Sequence, residues 1–251
     1  MNIAIVTGAS SGMGREFVYQ ISKRFKNIDE IWVIARRADR LEDIKKDIEH
    51  VTIRPLVLDV SSEADLIRFK MELIKLNPKV RVLVNSAGYG IIGSFEDAGD
   101  DNVGMCKVNC VALTKLINLV LPYMNKNKGN IWNLASSAAF LPQPYFATYA
   151  ATKSYVLSLS RALNQELKSK NITVTAVCPG PVKTEFFDVA ERDTQVKLYK
   201  KLVMAKPDKV VELALRDGFH GKDVSVYGGT MKAFSVLCKL LPHRFIMKFI
   251  K

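Results

Sequence analysis

The sequence predicts an α/β fold: a doubly wound parallel sheet of about seven strands with helices on both faces, in a single domain over residues 1–251. Short apolar runs alternate with helical patterns along the whole chain, which is typical of βαβ units. Several of these runs are apolar at successive residues, as expected for strands that are covered on both faces. With 251 residues, 48% of them hydrophobic, the chain can bury a large core.

The alternation gives each element an approximate range. Strands are predicted at residues 4–7, 31–35, 52–58, 82–85, 130–134, 173–178 and 224–227. Helices are predicted at residues 12–26, 39–49, 63–76, 101–126, 147–169 and 207–217. Ligands of such sheets bind beyond the carboxyl ends of the strands, so we expect the functional residues at strand ends and helix starts.

A glycine-rich turn joins the first strand to the first helix. Its sequence follows the spacing Gly-x-x-x-Gly-x-Gly and comprises Gly8, Ser10, Ser11, Gly12, Met13 and Gly14 with Ala9 between them. A strand, a glycine-rich turn and a helix start form an anion site, since free backbone N–H groups and the helix dipole face the ligand. The turn therefore predicts the binding of a phosphate group.

A candidate proton-transfer site lies in the second half of the chain. Tyr149 and Lys153 are four residues apart on a predicted helix, so both side chains occupy one face. A nearby ammonium favours the phenolate and lowers the pKa of a phenol from about 10. Ser136, thirteen residues before the tyrosine, supplies a hydroxyl for a substrate oxygen. Together these groups suit acid–base chemistry on a carbonyl or an alcohol.

The motifs, taken in order, resemble those of the short-chain dehydrogenase/reductase family in its branch of about 250 residues. They are the turn at residues 7–14, Leu58-Asp59-Val60, Asn85-Ser86-Ala87-Gly88, Asn109, Ser136, Tyr149 with Lys153, and residues 179–184. The resemblance covers residues 2 to about 230 and implies a Rossmann-type sheet. Ser86 stands where the family usually has a second Asn, and Ala139 where a Gly is common.

The resemblance also implies a role for each site residue. Tyr149 would donate the proton in carbonyl reduction, Lys153 would lower its pKa and hold the nicotinamide ribose, and Ser136 would polarise the carbonyl. Asn109 would hold a water that connects Lys153 to solvent, with a buried Asn that bonds to backbone as the alternative. The remaining cofactor contacts implied are Asp59, Val60, Asn85, Ala87, Gly88, Pro179, Gly180, Val182 and Thr184.

The end of the second strand indicates which cofactor is used. Ala35 occupies the place where an acidic residue would select NAD(H), and Arg36 follows it. A guanidinium can grip a 2′-phosphate through paired hydrogen bonds, so we expect NADP(H) in preference to NAD(H). Arg37 assists or is exposed, and Arg15 lies near the phosphate or on the helix surface.

A substrate lid is expected at about residues 185–206, the stretch with the fewest motifs. Further lining is expected from mostly apolar residues, namely Tyr89, Ile91, Ile92, Phe140, Leu141, Tyr145 and Phe146. An apolar pocket favours a lipophilic ketone such as a 3-oxoacyl compound, a steroid or an aromatic ketone. The leading prediction is therefore an NADPH-dependent ketone reductase.

The charge and the cysteine content indicate where the protein is located and which partners it has. The net charge of +12 is spread over helix surfaces, and no nucleic-acid partner and no metal are expected. The four cysteines, Cys106, Cys110, Cys178 and Cys238, are interpreted as buried thiols in a reducing cytoplasm. No signal peptide is recognised at the N-terminus. The resemblance implies a homodimer or homotetramer, with a preference for the dimer.

The last segment, residues 230–251, departs from the usual ending of the family. Apolar residues alternate there with five Lys/Arg residues and no acidic ones, and Pro242 is expected to interrupt any helix. The segment could rest on the inner surface of an anionic membrane, pack on the core or form a dimer contact. Two alternatives to the reductase stay open: a non-catalytic NADP-binding sensor and a basic membrane-associated interaction protein.

Overall fold

The structure, a computed structural model, describes residues 1–124, 129–190 and 204–248. Its seven strands form one sheet in the order β3-β2-β1-β4-β5-β6-β7, and every neighbouring pair is parallel. The strands are β1 (Asn2–Thr7), β2 (Glu30–Ala35), β3 (Thr52–Val57), β4 (Lys79–Asn85), β5 (Gly129–Leu134), β6 (Ile172–Val177) and β7 (Val224–Ser225). The predicted doubly wound sheet is confirmed.

Helices fill the connections between the strands. They are α1 (Gly12–Arg24), α2 (Ala38–Asp47), α3 (Glu63–Leu76), α4 (Phe95–Ala98), α5 (Asp101–Cys106), α6 (Leu113–Val120), α7 (Ala147–Glu166), α8 (Phe186–Ala190), α9 (Pro207–Phe219), α10 (Gly229–Leu240) and α11 (His243–Met247). Helix α5 continues through a π-helical segment, Lys107–Ala112, into α6 and a 3₁₀ turn at Leu121–Tyr123. Further 3₁₀ turns lie at Ser137–Phe140 and Lys168–Lys170.

The core forms on both faces of the sheet because side chains alternate along each strand. Ile3 and Ile5 of β1 pack on one face with α3, α6 and α7, where Phe69 is buried. Ala4 and Val6 pack on the opposite face with α1, α2 and α9, where Phe17 is buried. Every residue of β2 and β5 is buried, including the polar Glu30, Asn130 and Asn133, because helices cover both faces of these strands.

The predicted ranges differ from the observed ones mainly at their ends. Strand β4 begins three residues earlier than predicted because Lys79 pairs with Asn2 of β1, and β7 ends at Ser225. The predicted helix 101–126 is divided by its π-helical segment, and its 3₁₀ turn ends at Tyr123. Helix α7 ends at Glu166, three residues before the end of the predicted helix 147–169. Pro242 separates α10 from α11, as its missing N–H predicts.

The long helix Asp101–Tyr123 is apolar and long enough to cross a bilayer by length and composition alone. Core helices of globular proteins pass the same test. Here Leu113, Leu116 and Ile117 pack in the core against the sheet, so the apolar character of this helix has an explanation within the fold.

Candidate functional site

The glycine-rich turn lies at the carboxyl end of β1, next to the central strand β4 of the sheet. Gly8 and Gly12 have φ values of +64° and +53°, which favour glycine. A Cβ on Gly8 would lie 2.7 Å from the Ala87 nitrogen, and one on Gly14 would lie 2.2 Å from the Gly8 oxygen. Thr7 Oγ1 accepts hydrogen bonds from the backbone N–H groups of Ser86 and Ala87, at 3.1 and 3.2 Å. The spacing of the glycines is thus set by close backbone packing.

This turn leaves the start of α1 open to a ligand. The N-cap Ser11 makes no side-chain capping bond, and the first turn of the helix contains no acidic residue. The N–H groups of a first turn have no acceptor within the helix and carry the positive end of its dipole. The turn can therefore hold an anionic group such as a phosphate.

A cleft of about 560 Å³ opens above the turn, and we call it the sheet-edge cleft. Most of the predicted cofactor residues line it: Gly8, Ser10, Ser11, Gly12, Met13, Arg36, Arg37, Asp59, Val60, Ala87, Gly88 and Thr184. Other predicted residues lie outside its lining, namely Gly14, Asn85, Tyr149, Lys153, Pro179, Gly180 and Val182. Gly14 packs under the turn, and Asn85 donates to Asn133 Oδ1 at 2.8 Å.

One wall of this cleft was not predicted from the sequence. Asp101, Gly104, Lys107 and Val108 line it from α5 and the π-helical segment. Their spacing of three and four residues is that of one helix face, so the signal was present in the predicted helix. Only the tertiary structure shows that this face meets the cleft.

The two arginines at the end of β2 have different surroundings. The Arg36 side chain is 80% exposed, and its Nη1 lies 4.0 Å from Asp59 Oδ2. Arg37 donates to Ser10 Oγ at 3.0 Å and to Glu185 Oε2 at 2.8 Å. These bonds from Arg37, aided by Arg40, lower the pKa of Glu185, so its carboxylate offsets the charge of Arg37. The Arg36 guanidinium is the more accessible of the two.

Arg15 and Asp59 occupy well-defined positions nearby. Arg15 donates to Tyr19 and lies 3.4 Å from Asp47, outside the lining of the cleft, so it takes the helix-surface position considered from the sequence. Burial opposes the ionisation of Asp59, but hydrogen bonds from Ser61 and the charge of Arg36 outweigh it and lower the pKa. Ser62 is the N-cap of α3.

The predicted proton-transfer residues come together beside the cleft. Tyr149 and Lys153 lie one turn apart on α7 and are 7% and 6% exposed. Ser136 follows β5 and hydrogen-bonds the Tyr149 phenol, which favours the phenolate. Lys153 Nζ lies 5.5 Å from the centroid of the Tyr149 ring and donates to the Leu134 carbonyl at 2.6 Å. An acid–base group, a hydroxyl and a cation therefore share one buried space.

Asn109 lies on the π-helical segment, a distortion that often marks functional sites. Its Oδ1 accepts from the Tyr89 N–H at 3.1 Å, and its Nδ2 donates to the Tyr89 carbonyl at 2.9 Å and to Thr152 Oγ1 at 3.0 Å. A Cβ on Gly88 would lie 2.9 Å from Asn109 Oδ1 and 3.4 Å from Lys153 Nζ. Asn109 thus fixes the backbone after β4 that borders Lys153. This matches the alternative considered from the sequence, a buried Asn that bonds to backbone.

Burial controls the protonation of the central pair. It raises the pKa of Tyr149 to about 12, and the hydrogen bond from Ser136 opposes this only in part. It lowers the pKa of Lys153 to about 8. The sequence predicted a lowered pKa for the phenol, whereas in this structure desolvation has the larger effect. At neutral pH the phenol is a proton donor and the amine is an ammonium.

Aromatic rings enclose the phenol. The Phe146 ring stacks on Tyr149 with centroids 4.3 Å apart, and the Phe186 ring lies at 5.4 Å. We call the space bounded by Ser136, Phe146, Tyr149, Lys153 and Phe186 the aromatic chamber. Phe186 also lines the sheet-edge cleft, so the cleft and the chamber share this one wall.

A second cavity, of about 270 Å³, lies beyond Phe146. Of the residues predicted to line the substrate pocket, Ile91, Tyr145 and Phe146 line this cavity. Phe140 and Leu141 do not, because they pack against the C-terminal helices. Of the predicted lid, residues 185–190, which include α8, and residues 204–206 are described, and residues 191–203 lie outside the described residues.

The cysteines differ in exposure, whereas the sequence predicts four buried thiols. Cys178 and Cys238 are buried, but Cys106 is exposed and Cys110 is half-buried. Cys106 is exposed because it lies on the outer face of α5, where the sequence pattern alone indicates only a helix. Within the described ranges, no three His, Cys, Asp or Glu side chains are grouped so that they could hold a metal ion.

Comparison with known proteins agrees with this geometry. The model of the short chain dehydrogenase family matches residues 2–195. A very-long-chain 3-oxoacyl-CoA reductase of Bos taurus is 34% identical over 191 residues, which span 72% of this chain and 60% of the bovine protein. An NADP-dependent 3-hydroxy acid dehydrogenase of Schizosaccharomyces pombe is 31% identical over 220 residues, 84% of each chain.

A solved structure resembles the whole fold. The short-chain dehydrogenase of Sphingobium yanoikuyae in complex with NADPH superposes with a TM-score of 0.83 at 26% identity, covering 100% of this chain and 97% of that one. The family match extends over the sheet-edge cleft, and the aromatic chamber adjoins it. The chain therefore belongs to the short-chain dehydrogenase/reductase family, and it spans about 60% of the length of the bovine relative that it matches.

Proposed function

We propose that the protein is an NADPH-dependent reductase that converts a lipophilic ketone to a secondary alcohol. The observation that carries the proposal is the placement of Ser136, Tyr149 and Lys153 in one buried chamber beside the sheet-edge cleft. A buried, protonated phenol next to an ammonium is suited to donate a proton to a carbonyl oxygen. A protein that only senses NADP would not need this set of groups.

The cofactor preference is argued from Arg36. Its guanidinium is exposed at the end of β2, whereas Arg37 is held by Ser10 and Glu185. The strand ends in Ala35, so no carboxylate at that position would repel a 2′-phosphate. Arg36 would bind the phosphate, and the N–H groups of the glycine-rich turn would bind the pyrophosphate. NADPH when bound supplies the hydride that reduces the carbonyl carbon.

The residues of the chain supply the proton and the orientation. Tyr149 Oη donates its proton to the carbonyl oxygen and leaves a phenolate. The Lys153 ammonium stabilises that phenolate, and the Leu134 carbonyl fixes the position of its Nζ. Ser136 orients the carbonyl oxygen through its hydroxyl. Phe146 and Phe186 exclude water from the phenol, which strengthens these electrostatic contacts. Asn109 positions the backbone that borders Lys153.

The substrate class is argued from the walls of the chamber. Phe146 and Phe186 cover Tyr149, and Ile91, Met105 and Tyr145 extend this apolar surface into the second cavity. Such walls favour a 3-oxoacyl chain, a steroid or an aromatic ketone over a small polar substrate. The bovine relative is named for a 3-oxoacyl-CoA substrate, and this supports the first of the three.

The experiment is an assay of NADPH and NADH oxidation at 340 nm with 3-oxoacyl thioesters of increasing chain length, steroids and aromatic ketones. We expect turnover with NADPH, at a rate that depends on the apolar part of the ketone. A small hydrophilic ketone such as acetoin serves as the matched poor substrate. Tight NADPH binding without turnover of any ketone in the panel would contradict the reductase and leave the sensor.

The assembly and the domain organisation form part of the proposal. We infer a homodimer formed through the two long helices, where the exposed side chains include Val103, Val111 and Tyr155. We also infer one catalytic domain over residues 1–251, with the lid and the C-terminal extension as its parts, in the cytoplasm and in peripheral contact with the membrane. Light scattering coupled to size-exclusion chromatography measures the assembly, and a monomeric mass would contradict it.

A further inference from the structure

The C-terminal extension is anchored to loops that carry the reaction site. Cys238 of α10 and Ile246 of α11 are buried against Leu141, which follows the Ser136 turn. Met231 packs on Gly180, since a Cβ there would lie 2.8 Å from the Met231 sulfur. The inner face of the extension is therefore part of the core around the site.

The outer face of α10 is also apolar. Ala233, Val236, Leu237 and Leu240 follow the spacing i, i+3, i+4, i+7 and share one face of the helix. Val236 is 52% exposed, Leu237 44% and Leu240 75%. A helix on the surface of a globular protein normally has one apolar face, so a second one is a candidate contact surface.

Cations lie along one edge of this outer face. Lys232 and Lys239 are seven residues apart and share that edge of α10, and Arg244 and Lys248 follow the helix in the chain. All four are exposed, and the sequence contains no Asp or Glu after Asp223. An apolar face bordered by cations, without any acidic residue, is the pattern of a helix that lies in the surface of an anionic bilayer.

We propose that the outer face of α10 and the cations beside it form a docking surface for an anionic lipid bilayer. A second copy of the chain fits this surface less well, because two such faces in contact would bring like charges together in a protein of net charge +12. An insertion of Val236, Leu237 and Leu240 would remove apolar surface from water, and the cations would meet the lipid phosphates. The docking does not depend on the proposed reaction.

The chain offers a matched control on α3. Ile67, Met71 and Ile74 are 54%, 58% and 51% exposed and lie on one face of that helix. That helix carries three acidic residues, Glu63, Asp65 and Glu72, together with three basic ones, Arg68, Lys70 and Lys75, whereas α10 carries no acidic residue. If exposed apolar area alone caused lipid binding, both helices would contribute. If lipid binding requires an apolar face with cations and without acidic residues, only α10 will contribute to it.

The test is flotation of the full chain with vesicles of phosphatidylcholine alone and of equal parts phosphatidylcholine and phosphatidylglycerol. We expect binding to the anionic vesicles only, and its loss in about 1 M NaCl, where the Debye length is about 3 Å. The double substitution Val236→Ser/Leu240→Ser should weaken binding about tenfold or more, since it removes two inserting side chains. Lys232→Gln/Lys239→Gln should weaken it about fivefold for each charge.

The control Ile67→Ser/Met71→Ser should float as the unchanged protein does. Retained NADPH binding by each variant shows that its fold is intact. The proposal is overturned if the unchanged protein does not bind anionic vesicles, or if the α3 variant loses binding as the α10 variant does. It is also overturned if Val236→Ser/Leu240→Ser alters only the mass of the assembly, which would make the face a contact between copies.

Discussion

The sheet-edge cleft and the aromatic chamber are neighbours, but they are built by different means. Backbone and short side chains at the ends of β1, β2 and β4 form much of the cleft, which is open. Bulky side chains from distant parts of the chain form the chamber, and they cover Tyr149. The cleft presents N–H groups and a guanidinium to an anion, whereas the chamber desolvates two ionisable groups.

This difference separates binding from chemistry. A change in the chamber should impair proton transfer and leave cofactor binding nearly intact, while a change at the cleft should have the opposite effect. Phe186 belongs to both regions, so it links them. The predictions that follow test this division.

The largest effect is expected from the loss of the proton donor. The substitution Tyr149→Phe keeps the ring between Phe146 and Phe186 but removes the hydroxyl, so ketone reduction should fall by about 10²- to 10⁴-fold. NADPH affinity should change by less than about twofold, since the phenol lies outside the lining of the cleft. Steady-state kinetics and fluorescence titration of NADPH measure the two quantities.

Tyr155→Phe is the matched control for this substitution. Tyr155 lies on the same helix, is 42% exposed and bonds to Thr114 Oγ1 at 2.8 Å, away from the chamber. Its loss of a hydroxyl should leave turnover unchanged. Equal turnover by Tyr149→Phe and Tyr155→Phe would contradict the assignment of Tyr149 as the donor.

A methyl group at the border of the two regions should have a smaller effect. In Gly88→Ala the new Cβ would crowd Asn109 Oδ1 and Lys153 Nζ, at 2.9 and 3.4 Å, and displace the ammonium. We expect kcat/KM to fall about tenfold to hundredfold, since misplacement by about 1 Å has that cost. Gly93→Ala, where nothing lies within 4 Å of the new Cβ, should have kcat/KM close to that of the unchanged protein. A larger fall in kcat/KM for Gly93→Ala than for Gly88→Ala would contradict the packing around Lys153.

On the cleft side, Arg36→Ala should raise the KM for NADPH about tenfold or more, the magnitude of a lost charged hydrogen bond. The KM for NADH and the value of kcat should change little, because NADH has no 2′-phosphate and the chamber is untouched. Arg68→Ala is the control, since Arg68 is 67% exposed on α3 and pairs with Asp65. An equal increase in KM for both cofactors would contradict the role of Arg36.

The pH dependence should report the chamber. Reduction requires the Lys153 ammonium, whose pKa burial lowers to about 8, and kcat/KM should therefore fall as pH rises through about 8. Tyr149, with a pKa of about 12, stays protonated and does not limit the rate. A pH profile of kcat/KM that stays flat to pH 10 would contradict a lysine depressed by burial.

The same shift has a consequence for stability. The pKa of Lys153 is lower in the folded state than its ordinary value of 10.5, so the unfolded state binds more protons between about pH 8 and 10.5. The contribution of Lys153 to the free energy of unfolding should therefore rise with pH across that window. Denaturant titrations of the unchanged protein and of Lys153→Met measure their free energies of unfolding. The difference between these two free energies should diminish as pH rises.

The sequence predicted the cleft better than the chamber, for a physical reason. The glycine-rich turn is a local feature, since its conformation and its packing on Ala87 depend on small residues at fixed spacing. The difference between Arg36 and Arg37 depends on Glu185, which is 148 residues from Arg37 in the chain. No local pattern contains that information.

The chamber shows the same limit in its electrostatics. The sequence placed Ser136, Tyr149 and Lys153 together, and the structure brings them to one site. The sequence did not predict that Phe146 and Phe186 would cover the phenol. The effect of burial on the pKa values of Tyr149 and Lys153 was therefore missed. The direction of a pKa shift depends on three-dimensional burial, which spacing along a helix does not report.

The most direct test of the central claim follows the hydride and the proton together. NADPH carrying deuterium at the transferable position of nicotinamide C4 is mixed with the ketone that turns over fastest, and the alcohol is analysed by mass spectrometry. We predict one deuterium on the carbinol carbon with the unchanged protein, and about 10²- to 10⁴-fold less labelled product in the same time with Tyr149→Phe. An alcohol without deuterium, or equal labelling by the two proteins, would contradict the proposed division between cleft and chamber.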